Sequence, residues 1–364
     1  MRKQHLYLFS SDQSQQYARD ILNVLAAPVG LPYTFRYDSR HVEDRLLKEW
    51  EALQDTPVCV VFSLQQQAQF QPAAFIPIRR GYVLRSYSEG DRYFIEFRVG
   101  GYIGLPDALA GEGAAQKFEA VNAFTKGLSE IATVPYQASA SLGSPVTSSL
   151  ADTASGDSDL FCRTGEYLGQ CAVFEQTRFF RVLGIRPHDD SDSAYLKTYA
   201  ADPAYRLKSG RSYDLQLFHC QPHTPAEPEA FSVSVDETMV RIIGEDRFEV
   251  ASRYDLPVIR LATGRVANLD DHETTLSISP AGEVLGPSVE LGIRVEAERQ
   301  RAIGTATLQA LALIAVALAG ALSELELGFR ITLAVAGAIA AVLLGLLGAR
   351  TLTVPTLPRS TTST

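Results

Sequence analysis

The sequence predicts an α+β domain, then a mainly-β domain of the sandwich or small-barrel kind, and last a C-terminal two-helix transmembrane hairpin. Three observations carry this. Strand-like apolar runs alternate with helical patterns over residues 1–135, period-two strands dominate 158–296, and two long uncharged stretches follow.

In the first domain, Leu6 to Phe9 is an apolar run suited to a buried strand. Asp12 is placed to cap a helix that sets Tyr17, Ile21, Leu22 and Leu25 on one face. A Pro/Gly turn (Pro28 to Pro32) leads to a strand over Tyr33 to Tyr37. His41 to Gln54 is amphipathic through Val42, Leu46, Leu47, Trp50 and Leu53. Val58 to Phe62 is a run of β-formers without a break. Tyr82 to Tyr87, the turn Ser88-Glu89-Gly90-Asp91 and Arg92 to Val99 spell a hairpin, with Tyr93, Ile95, Phe97 and Val99 on one face. Ala114 to Ile131 repeats apolar residues at helical spacing.

Residues 136–157 turn to Ser, Ala, Thr, Gly and Pro, the composition of a flexible linker. In the second domain (158–296), strands are expected at Phe179–Leu183, Tyr213–Phe218, Phe231–Val235, Met239–Ile243, Phe248–Ala251, Leu276–Ser279 and Leu291–Val295.

The hairpin expectation rests on Ile303–Leu322, twenty residues without a charge, and Ile331–Ala349, nineteen more. About 20 apolar residues cross a hydrocarbon core roughly 30 Å thick. Glu324, Glu326 and Arg330 occupy the short connection, and residues 350–364 read as a disordered tail. Arg294, Arg299 and Arg301 precede the first span, and Arg350 and Arg359 follow the second. The positive-inside rule therefore expects both outer ends in the cytoplasm. The start of the chain lacks an apolar stretch long enough for a signal peptide, which points the same way. Gly337, Ala341 and Gly345 recur every four residues, a small face for close packing within the hairpin or between copies. Neither span holds an ionisable residue, against a proton relay or charge-coupled transporter.

The first 300 residues carry 29 basic and 40 acidic side chains, a net charge of −11, which disfavours broad contact with nucleic acid. Cys59, Cys162, Cys171 and Cys220 form no Cys-x-x-Cys pair, and in a cytoplasmic domain are expected as reduced thiols.

The chemistry-bearing groups are sparse. Asp189, Asp190 and Asp192, with Asp271, are candidate oxygen ligands for a metal, although the EF-hand pattern is absent. His219-Cys220-Gln221-Pro222-His223 is the densest nitrogen and sulfur group, with no second ligand group near it in sequence. Gly111-Glu112-Gly113 lacks the rest of a phosphate loop, and neither a nucleophile elbow nor a His-Glu-x-x-His helix occurs. Arg79, Arg80, Arg85 and Tyr87 make a small basic and aromatic patch suited to a ligand. No cofactor is expected. The expected function is that of a membrane-anchored cytoplasmic sensor, adaptor or effector. Its partners are the lipid bilayer, a ligand or partner protein and a second copy of the chain. The rival is a membrane-anchored enzyme of unfamiliar type with an acidic metal site.

Overall fold

The computed structural model describes residues 4–65, 73–106, 113–134, 136–145, 156–189, 194–199, 202–220, 229–236, 238–250, 252–264, 271–281 and 285–297, and beyond them 307, 310–314, 331–332 and 335–337. The chain is mostly β, with curled sheets and some helices.

The first part runs β1 (His5–Ser11), α1 (Gln15–Ala26), β2 (Pro32–Asp38), α2 (Asp44–Glu49), β3 (Pro57–Leu64), β4 (Ala74–Glu89), β5 (Arg92–Tyr102), α3 (Ala114–Phe124), α4 (Leu128–Ile131) and β6 (Ser139–Gly143). Its six strands form one sheet in the order β2-β5-β4-β3-β1-β6. β1 and β3 are parallel, and the other neighbours antiparallel. β1 and β3 are covered on both faces, hence their unbroken apolar runs. Leu6, Leu8, Val58 and Val60 belong to the large core, while Tyr7, Phe9, Cys59 and Val61 meet Leu128 and Ala132 on the other face.

Helix α1 buries Ala18, Ile21, Leu22, Val24 and Leu25. Its cap is Ser14 and not Asp12: the Ser14 hydroxyl accepts from the Tyr17 N–H at 3.3 Å. The helix expected over 114–131 is split, because Gly127 turns left-handed (φ 100°) between α3 and α4. The hairpin turns at Gly90, also left-handed (φ 61°).

The linker expected over 136–157 is corrected at its start. Ser139–Gly143 is β6, paired antiparallel with β1, and Ser139, Ala140 and Ser141 are buried. Small side chains suit this strand because α2 and α4 lie close to it. A composition poor in large apolar residues here marks tight packing, not exposure.

Gly81 tests how closely β4 and β5 approach. A Cβ there would lie 2.3 Å from the Arg98 carbonyl oxygen, whereas one at Gly101 would meet nothing within 4 Å. We expect Gly81→Ala to cost about 3 kcal/mol and Gly101→Ala to stay within about 0.5 kcal/mol. Urea midpoints read from the single tryptophan, buried Trp50, measure both.

The second part runs α5 (Asp157–Leu168), β7 (Phe180–Pro187), β8 (Tyr205–Lys208), β9 (Ser212–Cys220), β10 (Glu229–Val235), β11 (Val240–Ile243), β12 (Arg247–Val250), β13 (Tyr254–Asp255), β14 (Val258–Thr263), β15 (His272–Pro280) and β16 (Val289–Glu296). One sheet is ordered β12-β10-β15-β16-β8; the other is β11-β14-β9-β13, with β7 also on β9. Phe180 and Phe231 join them edge to face, with ring centroids 5.1 Å apart. The two parts share one apolar core, in which Phe62 meets Phe174 at 5.1 Å and Tyr102 meets Phe161 at 5.8 Å.

Helix α5 packs on β4, β5 and β9. It thereby brings Cys162 to Cys220, and the two form a disulfide with Cα atoms 5.6 Å apart. The expectation of four reduced thiols is corrected for this pair. Cys59 and Cys171 are free and buried.

Among the described residues no helix is long and apolar enough to cross a membrane. Within the two uncharged stretches, Thr307, Ala310–Ile314, Ile331, Thr332 and Val335–Gly337 are helical. Ala341 and Gly345 lie outside the described residues.

Candidate functional site: a cleft between the two parts

A cleft of about 660 Å³ lies between β2 and the β15-β16-β8 side of the second part, within the size range of ligand pockets, roughly 300–1,000 Å³. One wall is Leu31, Pro32, Tyr33 and Thr34, the other Thr274, Thr275, Gly292 and Ile293. A chain of hydrogen bonds closes one end across the two parts. Tyr33 Oη donates to Asp20 at 2.9 Å and accepts from Asn23 Nδ2 at 3.2 Å, and Asn23 Oδ1 accepts from the Ser288 N–H at 2.7 Å. Burial raises the Asp20 carboxyl against the opposing Tyr33 bond, and burial followed by the Asp20 charge raises the Tyr33 phenol.

The cleft's second polar group is an ion network. Arg294 Nη1 meets Asp202 Oδ2 at 2.6 Å, and Arg206 Nη2 meets the same oxygen at 2.8 Å. Arg294 also grips Glu273, its cross-strand partner, through Nε at 2.9 Å and through Nη2. The Glu273 hydrogen bond raises the Arg294 pKa. Desolvation pushes the Asp202 carboxyl up, but the Arg206 hydrogen bond and the Arg294 charge outweigh it and hold it below the usual range. Arg294 and Arg206 thus take up the charge of Asp202 and Glu273, and among the ion pairs formed by the described residues none engages Glu290, the lining's remaining carboxylate. The arrangement holds charge and shape for binding.

The residues singled out from sequence fall in several places. Arg79 is fully buried in β4: its Nε donates to Gly100 O at 2.8 Å and its Nη1 to Leu25 O and Ala27 O at 3.3 and 3.2 Å. The guanidinium lies 3.9 Å above the Tyr102 ring, and burial lowers its pKa. Arg80 is half-buried on the opposite face: burial and then the Arg80 charge lower the His5 pKa, while burial raises the Cys59 thiol to about 12 against the smaller opposing effect of Arg80. Arg85 and Tyr87 do come together: Arg85 pairs with Glu96 and lies 5.3 Å over the Tyr87 ring, which stacks on Phe94 at 4.9 Å.

Of the metal candidates, Asp189 is exposed after β7, and Asp271 accepts from the Ala297 N–H at 3.0 Å. Asp190 and Asp192 lie outside the described residues. Among the described residues no group of three or more His, Cys, Asp or Glu could hold a metal ion. His219 is buried and His223 lies outside the described residues.

The cleft residues Asn23, Tyr33 and Asp202 were not legible in sequence, because their meeting depends on how the two parts dock. The Glu273–Arg294 pair had a signal, since both lie on the polar face of adjacent alternating strands.

No family model matches the chain, and no curated protein does. Among solved structures, a FixG-related protein from Vibrio parahaemolyticus aligns at 13% identity over 24% of this chain and 78% of its own, with a TM-score of 0.18. The Escherichia coli alpha-2-macroglobulin fragment from domain MG7 to the C-terminus aligns at 15% identity over 25% of this chain and 15% of its own, with a TM-score of 0.17. The Vibrio cholerae VesB protease aligns at 8% identity over 63% of this chain and 84% of its own, with a TM-score of 0.16. At these TM-scores the likenesses carry no argument about fold or function.

Proposed function

We propose that the chain is a membrane-anchored sensor, adaptor or effector, binding a ligand or partner protein through its folded N-terminal region and held to the bilayer by residues 303–322 and 331–349. The single observation behind the anchor is an inverted burial pattern. Leu311, Leu313, Ile314, Ile331 and Val335 are helical and 51 to 63% exposed, while Ala312 and Gly337 are buried. Water penalises that arrangement. Lipid favours it, because large side chains face acyl chains and small ones let helices approach. We read the rest of the fold as an α+β unit and a β-sandwich that close the cleft between them, and assign the ligand to that cleft. The spacing of Gly337, Ala341 and Gly345 supports association with a second copy.

The arginines outside the two stretches support a cytoplasmic location for both flanks. A second reading, with the folded region on the oxidising side, is favoured by the Cys162–Cys220 disulfide, since such bonds persist outside reducing compartments. One experiment separates them. A reporter active only in the cytoplasm is fused to Met1, into residues 323–330, and after Thr364, in separate proteins. Activity at both flanks and not in the loop is the expected result. Activity in the loop alone inverts the orientation, and activity at all three positions overturns the anchor.

A further inference from the structure

We infer that the cleft takes an extended peptide strand bearing basic side chains, added to the free edge of β2. The inference rests on reading the folded region as a binding module and is independent of the membrane anchor. Among the described residues β2 pairs with β5 alone and ends its sheet. Leu31 O accepts from Val99 N at 2.9 Å, which sets the phase of the ladder. Alternation then turns residues 31, 33 and 35 toward β5 and directs the backbone N–H and C=O of Thr34 away from it, on the cleft side. Open edges are usually blunted. Here Pro32 occupies only the first position, and the edge is instead walled by the second part with a gap left between.

The gap suits one kind of occupant. A strand added to β2 pairs its backbone with Thr34 and presents side chains alternately to two sides. Leu31 and Pro32 supply apolar surface on the near wall, and on the far wall Gly292 lies against Ala204, where a Cβ would meet it at 3.4 Å. The carboxylate of Glu290 meets the other set: no ion pair of Glu290 stands among those formed by the described residues, whereas Glu273 is held by Arg294. Arg36, the one cation of β2, lies beyond the lining. Basic and apolar side chains in alternation therefore fit the cleft, and acidic ones are repelled.

The full chain in detergent micelles is titrated into labelled acetyl-Lys-Val-Thr-Val-Lys-Val-amide and into the same peptide with Glu for Lys, and anisotropy is followed. We expect the basic peptide to bind at least about tenfold more tightly than the acidic one. Thr34→Pro blocks the edge where no ladder bond to β5 is lost, and should weaken binding about tenfold. Glu290→Arg, an exposed site, should weaken the basic peptide by about threefold or more and improve the acidic one. Unchanged Trp50 fluorescence verifies that both variants fold. Equal affinity for the two peptides, or an unchanged affinity in Glu290→Arg, overturns the basic partner. Full binding by folded Thr34→Pro overturns strand addition, yet leaves the folded region a binding module. No binding of either peptide at about 1 mM overturns the inference altogether. The reporter fusions detect no peptide and decide the anchor separately.

Discussion

Arg79→Ala is expected to destabilise the folded region by about 4 kcal/mol, the largest effect of any single side chain considered. Helix α1 ends without a basic residue in its last turn, so the carbonyls of Leu25 and Ala27 need a donor from elsewhere. Arg79 reaches them from β4 and also satisfies Gly100 O in β5. Tyr102 Oη donates to Leu25 O at 2.8 Å, completing the end of the helix. A cation at a helix C-terminus is favoured by the macrodipole as well. Truncation takes the arginine donor from the Ala27 and Gly100 carbonyls, at about 1–3 kcal/mol each, while Leu25 O keeps the Tyr102 bond, and it leaves a cavity the size of the side chain. Arg79→Lys keeps the charge but has no planar fork to divide between helix and strand, so an intermediate loss is expected. Chemical unfolding followed through Trp50 measures both. A loss below about 1 kcal/mol in Arg79→Ala would show that water replaces the guanidinium, and the capping role would fall.

Arg79 also marks where sequence stops being informative. Arg79-Arg80 reads as a surface patch, because arginine is rarely fully buried and because nothing local announces that α1 ends above β4. The hairpin through Gly90 and the alternating runs of Phe231–Val235 and Leu291–Val295 were legible, since their pattern and turn chemistry are local. β6 was hidden by its small side chains. Helix α5 was missed because Asp157-Ser158-Asp159 continues the polar composition before it, although Phe161 and Tyr167 are fully buried. The Cys162–Cys220 pairing, 58 residues apart, and the cleft follow from docking of distant segments, on which spacing is silent.

His219 yields the second large prediction, and it concerns acid stability. Its ring is fully buried in β9, and neither ring nitrogen has a hydrogen-bond partner among the described residues. Burial, with the Arg178 charge adding to it, lowers its pKa from 6.5 to about 4. The folded protein thus holds a neutral imidazole where the unfolded chain takes up a proton. Stability is complete above pH 6.5, falls as the pH drops through the window between 6.5 and about 4, and levels off below it. At 1.36 kcal/mol per pH unit the loss amounts to about 3 kcal/mol. His219→Phe removes the proton acceptor and two unpaired nitrogens while keeping a planar apolar body. At pH 7 it should be neutral or mildly stabilising, since no hydrogen bond is given up. Subtracting the two unfolding profiles isolates this site, because the Asp and His residues titrating elsewhere contribute equally to both proteins. A difference that grows by about 3 kcal/mol between pH 7 and pH 4 is the expected result. A constant difference would mean that the folded protein accepts the proton at His219, through water or a shifted carboxylate, and that acid sensitivity arises at other groups.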